Sequence, residues 1–174
     1  MRTLTSPVKL VPWLVAMLSA PVLAAGAHDH GGGRLDVSIE KERITIELEL
    51  PLDVLVGFER APRNDKERAA LAAAGKKLND GAALFLPTAA AECRLTKTEV
   101  SLPFAEGTKT AATGEHADAD ARYEFECAQA RNLAGIETTL FRDFSRLYRL
   151  ELQRVGPVGQ AGGRLTRKAP VVRW

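Results

Sequence analysis

Two short stretches and one cysteine pair hold the side chains best suited to chemistry. His28-Asp29-His30 sets two imidazoles and a carboxylate side by side, and His116-Ala117-Asp118-Ala119-Asp120 sets an imidazole and two carboxylates at alternate positions. Such nitrogen and oxygen donors suit zinc or copper. In extended backbone, alternate side chains share a side, so His116, Asp118 and Asp120 would face one way. The competing readings are a solvated N-terminus for the first stretch and a polar strand entry ahead of Tyr123 for the second.

Cys93 and Cys127 are the chain's two cysteines. An even count in an exported protein favours a disulfide over a metal-binding thiol pair, because no C-x-x-C spacing is present and only three His exist to complete a site. Closing the loop between them would restrict the unfolded chain by about 4 kcal/mol in the loop-entropy model. Enzymatic constellations are missing. The chain carries no G-x-S-x-G, H-E-x-x-H, P-loop or dinucleotide fingerprint. The three His lie in polar, glycine- or alanine-rich segments, whereas a catalytic base needs rigid placement. The expectation is a protein that is not an enzyme.

Residues 1–27 read as an export signal. Arg2 and Lys9 form a basic start, Val11 to Ala20 is nearly all apolar, and Pro21 to Ala27 supplies small residues for cleavage. The apolar stretch is too short for a membrane span, so no stable membrane insertion is expected. Cleavage after Ala25 or Ala27 would leave His28 or His30 as the third residue. A free amine, two amide nitrogens and that imidazole could then bind Cu(II) or Ni(II) in a square plane. Removing Arg2 and Lys9 takes the 24 Lys+Arg to 22, equal to the 22 Asp+Glu. A chain of no net charge is a poor nucleic-acid binder.

The elements that must position these residues follow from periodicity. Arg34 to Glu40 and Arg43 to Leu50 alternate apolar and polar residues about Lys41-Glu42, the pattern of a β-hairpin with one buried face. Asn64, with Glu67 three residues on, caps a predicted helix reaching Leu78, with Leu71, Ala74 and Leu78 on one face. Ala82 to Leu86 reads as a short helical turn and Asn132 to Phe144 as a short helix. Arg94 to Leu102, Ala121 to Cys127 and Leu147 to Val155 read as strands. Glu106 to Glu115 reads as a mobile loop, and residues 28–33 as a flexible lead-in. The tail from Leu152 holds Arg154, Arg164, Arg167, Lys168 and Arg173 with no acidic residue. The whole implies a single α+β domain over residues 34–174, mainly an antiparallel sheet built from hairpins with two or three helices packed on it.

Taken together, His28-Asp29-His30-Gly31, Gly57-Phe58-Glu59-Arg60-Ala61-Pro62, Cys93, His116-Ala117-Asp118 with Tyr123, Phe125 and Cys127, Leu140-Phe141 with Phe144, and Gly159-Gln160 resemble a ZrgA-like family of exported bacterial proteins, formerly a domain of unknown function. The resemblance implies a periplasmic zinc-binding protein that assists zinc uptake beside an ABC importer or its binding protein. It implies His28, His30, His116 and Asp118 as ligands, with Glu59 from the Gly-Phe-Glu motif. The family motif usually reads Gly-Phe-Glu-His-Ala-Pro, and Arg60 stands here in place of the His. A guanidinium has no lone pair to give a metal. Thr108 to Glu115, where relatives carry many His, has none. The combined expectation is a monomer that binds zinc modestly through His28, Asp29, His30, His116 and Asp118. The alternative is an interaction protein of the same fold that has lost metal binding and docks an importer subunit through Arg164, Arg167 and Lys168.

Overall fold

The computed structural model describes residues 31–105 and 117–173. The expected export signal, His28-Asp29-His30, the loop from Glu106 to Glu115 and His116 lie outside them. Among the described residues no helix is long and apolar enough to cross a membrane.

The predicted hairpin forms as β1 (Gly32–Glu40) and β2 (Arg43–Pro51), turning at Lys41 with its φ of 55°. Gly32 and Gly33, expected in a flexible lead-in, open β1 instead. They pair alongside Arg149 and Leu150, and a Cβ on Gly33 would lie 2.4 Å from a Leu50 methyl. After β2 come α1 (Leu52–Val56), α2 (Asp65–Asn79) and α3 (Gly81–Leu84), then β3 (Phe85–Pro87), β4 (Cys93–Ser101) and β5 (Asp118–Cys127). The chain finishes with β6 (Gly135–Thr138), α4 (Leu140–Asp143), β7 (Arg149–Gly156), β8 (Gly159–Thr166) and β9 (Val171–Arg173).

These strands make two sheets, a large one in the order β4-β5-β2-β1-β7-β8 and a small one in the order β3-β6-β9. All neighbours are antiparallel except β1 and β7. The fold is therefore α+β and mainly antiparallel, as the periodicity predicts, with one parallel contact it did not predict. One face of the large sheet is apolar. Leu35 and Val37, Ile44 to Leu50 at alternate positions, and Tyr123, Phe125 and Cys127 are all buried there, in one cluster with Leu71 and Leu78 of α2 and Phe85 and Ile136 of the small sheet. The opposite face carries the charged residues of the strands, Arg154 of β7 excepted. Cys93 and Cys127 are cross-strand partners at the open end of the β4/β5 pair, away from the connection between the two strands, and they form the expected disulfide.

The sequence reading fails between Asn132 and Phe144, where the expected helix is a 3-10 turn, strand β6 and the single turn α4. Leu133, Ile136 and Leu140 have helical spacing, and all three are buried, but in separate pieces of structure. Short apolar spacing cannot distinguish a helix from a strand and a turn. Two local features decide for the strand. The backbone of β9 passes so close that a Cβ on Gly135 would lie 2.6 Å from the Val172 carbonyl oxygen. The Thr139 N–H donates to the Leu84 carbonyl at 3.0 Å, tying this segment to the end of α3 rather than to a helix of its own. Likewise Ala82 to Leu86 is helical only as far as Leu84, because Phe85 and Leu86 pair with Thr138 and Glu137.

Helix α2 starts as predicted. Asn64 Oδ1 accepts the Glu67 N–H at 2.9 Å, and Glu67 Oε2 accepts the Arg63 N–H at 2.7 Å. Arg60 closes a fork on the same carboxylate, with Nη1 and Nη2 at 2.7 and 2.9 Å, while its guanidinium lies over the Phe58 ring at 5.1 Å. These bonds to the ionised form hold the Glu67 carboxyl down at about 2, Arg60 being the larger cause and the Arg63 N–H the next. At its other end α2 is gripped by Tyr123, whose hydroxyl donates to the Leu78 carbonyl at 2.7 Å in the buried core. The Tyr123 ring packs against Phe85 with centroids 5.2 Å apart, and so closely on Gly81 that a Cβ there would lie 2.4 Å from Cδ1.

Two predictions follow from these ends. Tyr123→Phe leaves the buried Leu78 carbonyl without its donor and should destabilise the fold by about 1–3 kcal/mol, read as a lower urea midpoint with unchanged slope. An unaltered midpoint would show that water replaces the hydroxyl. Because the folded Glu67 carboxyl titrates below its ordinary 4.5, its contribution is present above that value and is lost as pH falls through about 2. The wild type should therefore lose more stability than Glu67→Gln between about pH 4.5 and 2, and coincident acid limbs for the two proteins would contradict the pairing.

Candidate metal centre

Strand β5 enters the large sheet at Asp118, where the Leu52 N–H of α1 donates to the Ala117 carbonyl at 2.8 Å. Ala117, Ala119 and Ala121 turn inward and are buried, so Asp118 and Asp120 project together onto the charged outer face. The shared side expected for these two residues is present. On that face Asp120 stands opposite Glu49 of β2 and opposite Ser101 of β4, and Asp118 stands opposite Pro51. Directly opposed residues of antiparallel strands have Cβ atoms about 5 Å apart, so Glu49 joins the two aspartates in one group of carboxylates.

The surrounding charges divide this face into a neutralised part and an acidic corner. Arg34 Nη2 pairs with Asp36 at 2.7 Å, and Arg122 pairs with Glu47 and, at 3.3 Å through Nε, with Glu124. Among the described residues no ion pair joins Glu49, Asp118 or Asp120 to a cation. The Glu49 carboxyl is raised above its ordinary value first by burial, then by the charges of Asp118 and Asp120, with Arg34 opposing. Asp120 is raised by burial and then by Asp118. Burial and like charge both disfavour the ionised state, and a cation placed among the three would reverse the second effect. A shallow hollow of about 500 Å³ opens beside this corner, with Glu49, Asp120, Arg34 and Arg122 in its walls.

Glu59 lies on the connection from α1 to α2, just past Gly57. Gly57 ends α1 with φ of 88°, a left-handed conformation that favours glycine, and the Arg146 guanidinium lies close enough that a Cβ there would come within 2.9 Å of it. The neighbouring Arg60 is committed to Glu67 and Phe58. Among the described residues no group of three or more His, Cys, Asp or Glu is arranged to hold a metal ion. The acidic corner is thus a cluster of carboxylates and not by itself a metal site, and the described part of the chain does not bring Glu59 and Asp118 into one group. His28, Asp29, His30 and His116 lie outside the described residues. Glu49 is absent from the sequence-derived candidates. Its alternation with Glu47 marks it as outward-facing, but only the register of β2 on β5 puts it beside Asp120.

A search of curated proteins returns no match to this chain. A family model described as "ZrgA family zinc uptake protein" matches residues 27–174, which spans both sheets, the disulfide and the acidic corner. The chain therefore belongs to the ZrgA family of zinc uptake proteins.

Proposed function

We propose that this member of the family is an exported, periplasmic protein that binds zinc modestly and holds it for delivery to an ABC importer or its binding protein. The observation that carries the reading is the meeting of Glu49, Asp118 and Asp120 at the start of β5, immediately after His116 in the chain. Three carboxylates attract a divalent ion but bind it loosely. An imidazole from His116 would give the corner a nitrogen donor, and His28, Asp29 and His30 of the N-terminal segment would supply further ones. Glu59 is a reserve donor on a separate loop. Ligation is weaker than the family pattern because Arg60 cannot coordinate, and the clamp it makes on Glu67 serves the fold instead. The N-terminal segment would also take Cu(II) or Ni(II) if cleavage leaves His28 or His30 third. Nothing in this reading requires catalysis; the protein is a carrier.

Isothermal titration of the mature chain with zinc should give micromolar binding at pH 7.5. Binding should weaken at least tenfold at pH 5.5, since imidazole must be neutral to coordinate and has an ordinary pKa of about 6.5. His28→Ala/His30→Ala/His116→Ala should abolish it, and Glu49→Gln/Asp118→Asn/Asp120→Asn should weaken it severalfold while leaving the fold intact. Equal affinity at the two pH values would remove His from the ligand set. No heat from the wild type would favour the alternative, an interaction protein of the same fold without metal.

A further inference from the structure

The two edges of the large sheet are treated differently by this sequence. An unpaired edge strand invites pairing with another chain, and proteins guard such edges with charges, proline or bulges. At one edge, β4 carries Arg94, Lys97 and Glu99 and has a register irregularity between Leu95 and Lys97. At the other edge, β8 pairs with β7 in unbroken register from Gly156↔Gly159 to Arg149↔Thr166. From Gly159 to Gly163 it has no charge, no proline and no bulge, and every residue from Gly159 to Arg164 is exposed.

The backbone of that edge is available. The two-residue turn Pro157-Val158 closes Gly156 and Gly159 as a hydrogen-bonded pair, so Ala161 and Gly163 also bond inward to β7. Gln160, Gly162 and Arg164 then aim their N–H and C=O groups outward. The alternation is confirmed at Thr166, the next outward residue, whose N–H donates to Ala169 at 3.2 Å. Among the described residues no strand lies beyond β8. The glycines are not demanded by this chain's own packing. A Cβ on Gly163 meets nothing within 4 Å, and one on Gly162 meets only the Leu152 carbonyl oxygen at 3.6 Å. What their small size does allow is close approach of another backbone and its side chains.

Charge selects the occupant. Residues 144–173 hold seven Arg and Lys against a single carboxylate, Glu151, which Arg164 already pairs at 2.8 Å. Arg154 and Arg164 stand on opposite faces at this edge, opposite Ala161 and Glu151 respectively. A second copy pairing edge to edge would set this basic surface against itself. We propose that β8 is a docking edge, which an extended acidic segment of a partner protein joins as an added strand, its carboxylates reaching these arginines on the two faces. The proposal is independent of metal binding.

The test is titration of the isotope-labelled mature chain, in the presence of chelator, with a capped peptide of repeated Val-Glu-Glu, whose glutamates fall on both faces of an extended strand. The amides of Gln160, Gly162 and Arg164 should shift and gain exchange protection, while those of Ala161 and Gly163 change little. Gly162→Pro removes only an outward donor and should weaken binding about tenfold; Arg154→Glu/Arg164→Glu should weaken it at least as much. An N-methylated copy of the peptide should fail against the wild type, which tests the backbone pairing even where the proline variant does not fold. The proposal is overturned by absence of binding, by equal binding of a valine-lysine peptide, by unchanged affinity in folded Gly162→Pro, or by shifts without exchange protection at the three outward amides.

Discussion

Tyr123 is the side chain through which the two layers of this fold become one structure. It stands at the middle of β5, its ring is wholly buried against Gly81 and Phe85, and its hydroxyl occupies the last-turn carbonyl of α2. A phenol in a dry core must find a partner, because an unsatisfied hydroxyl there costs a few kcal/mol. Satisfying it sets the height at which α2 lies over the sheet and the place where the chain turns into α3. Burial accordingly pushes the Tyr123 hydroxyl well above its ordinary titration range, so it stays protonated and donates at any physiological pH.

The same strand that carries Tyr123 inward carries the acidic corner outward. Burial of Ala119 and Ala121 and of Tyr123 and Phe125 dictates that Asp118, Asp120, Arg122 and Glu124 face the other way. A slip of one residue would bury those charges, so the register of β5 on β2 is strongly held, and with it the pairing of Asp120 with Glu49. The Cys93–Cys127 bridge reinforces the far end of the β4/β5 pair. The carboxylates at the near end can therefore crowd one another without loosening the sheet that brings them together.

Charge is divided along the large sheet. Its β2/β5 side gathers carboxylates, and its β7/β8 side and the following tail gather guanidinium and ammonium groups, although the mature chain is expected to be neutral overall. Such a separation gives a protein of small net charge two surfaces of opposite sign. It also explains why the basic tail is tolerated. Glu151 sits among the arginines and pairs with both Arg164 and Arg149, at 2.8 and 3.4 Å.

The cysteine pairing followed from there being two cysteines, and local pattern alone determined the hairpin of β1 and β2, the capped start of α2, and strands β4, β5 and β7. Each of these elements depends on interactions between near neighbours in sequence or on a period sustained over many residues, and such signals survive without knowledge of the partner surface. Tertiary structure decided the rest. The segment from Asn132 to Phe144 became a strand and a turn because the backbone of β9 and the end of α3 offered it hydrogen bonds that its helical spacing could not foresee. The parallel contact of β1 with β7 joins residues more than a hundred positions apart, and no local period encodes it. The site divides in the same way. Asp118 and Asp120 were legible because alternation puts them on one face, whereas Glu49 entered only through strand register, and Arg60 revealed its structural duty only when its carboxylate partner came into view. Periodicity states which way a side chain points; what it meets there is settled by the packing of elements distant in sequence.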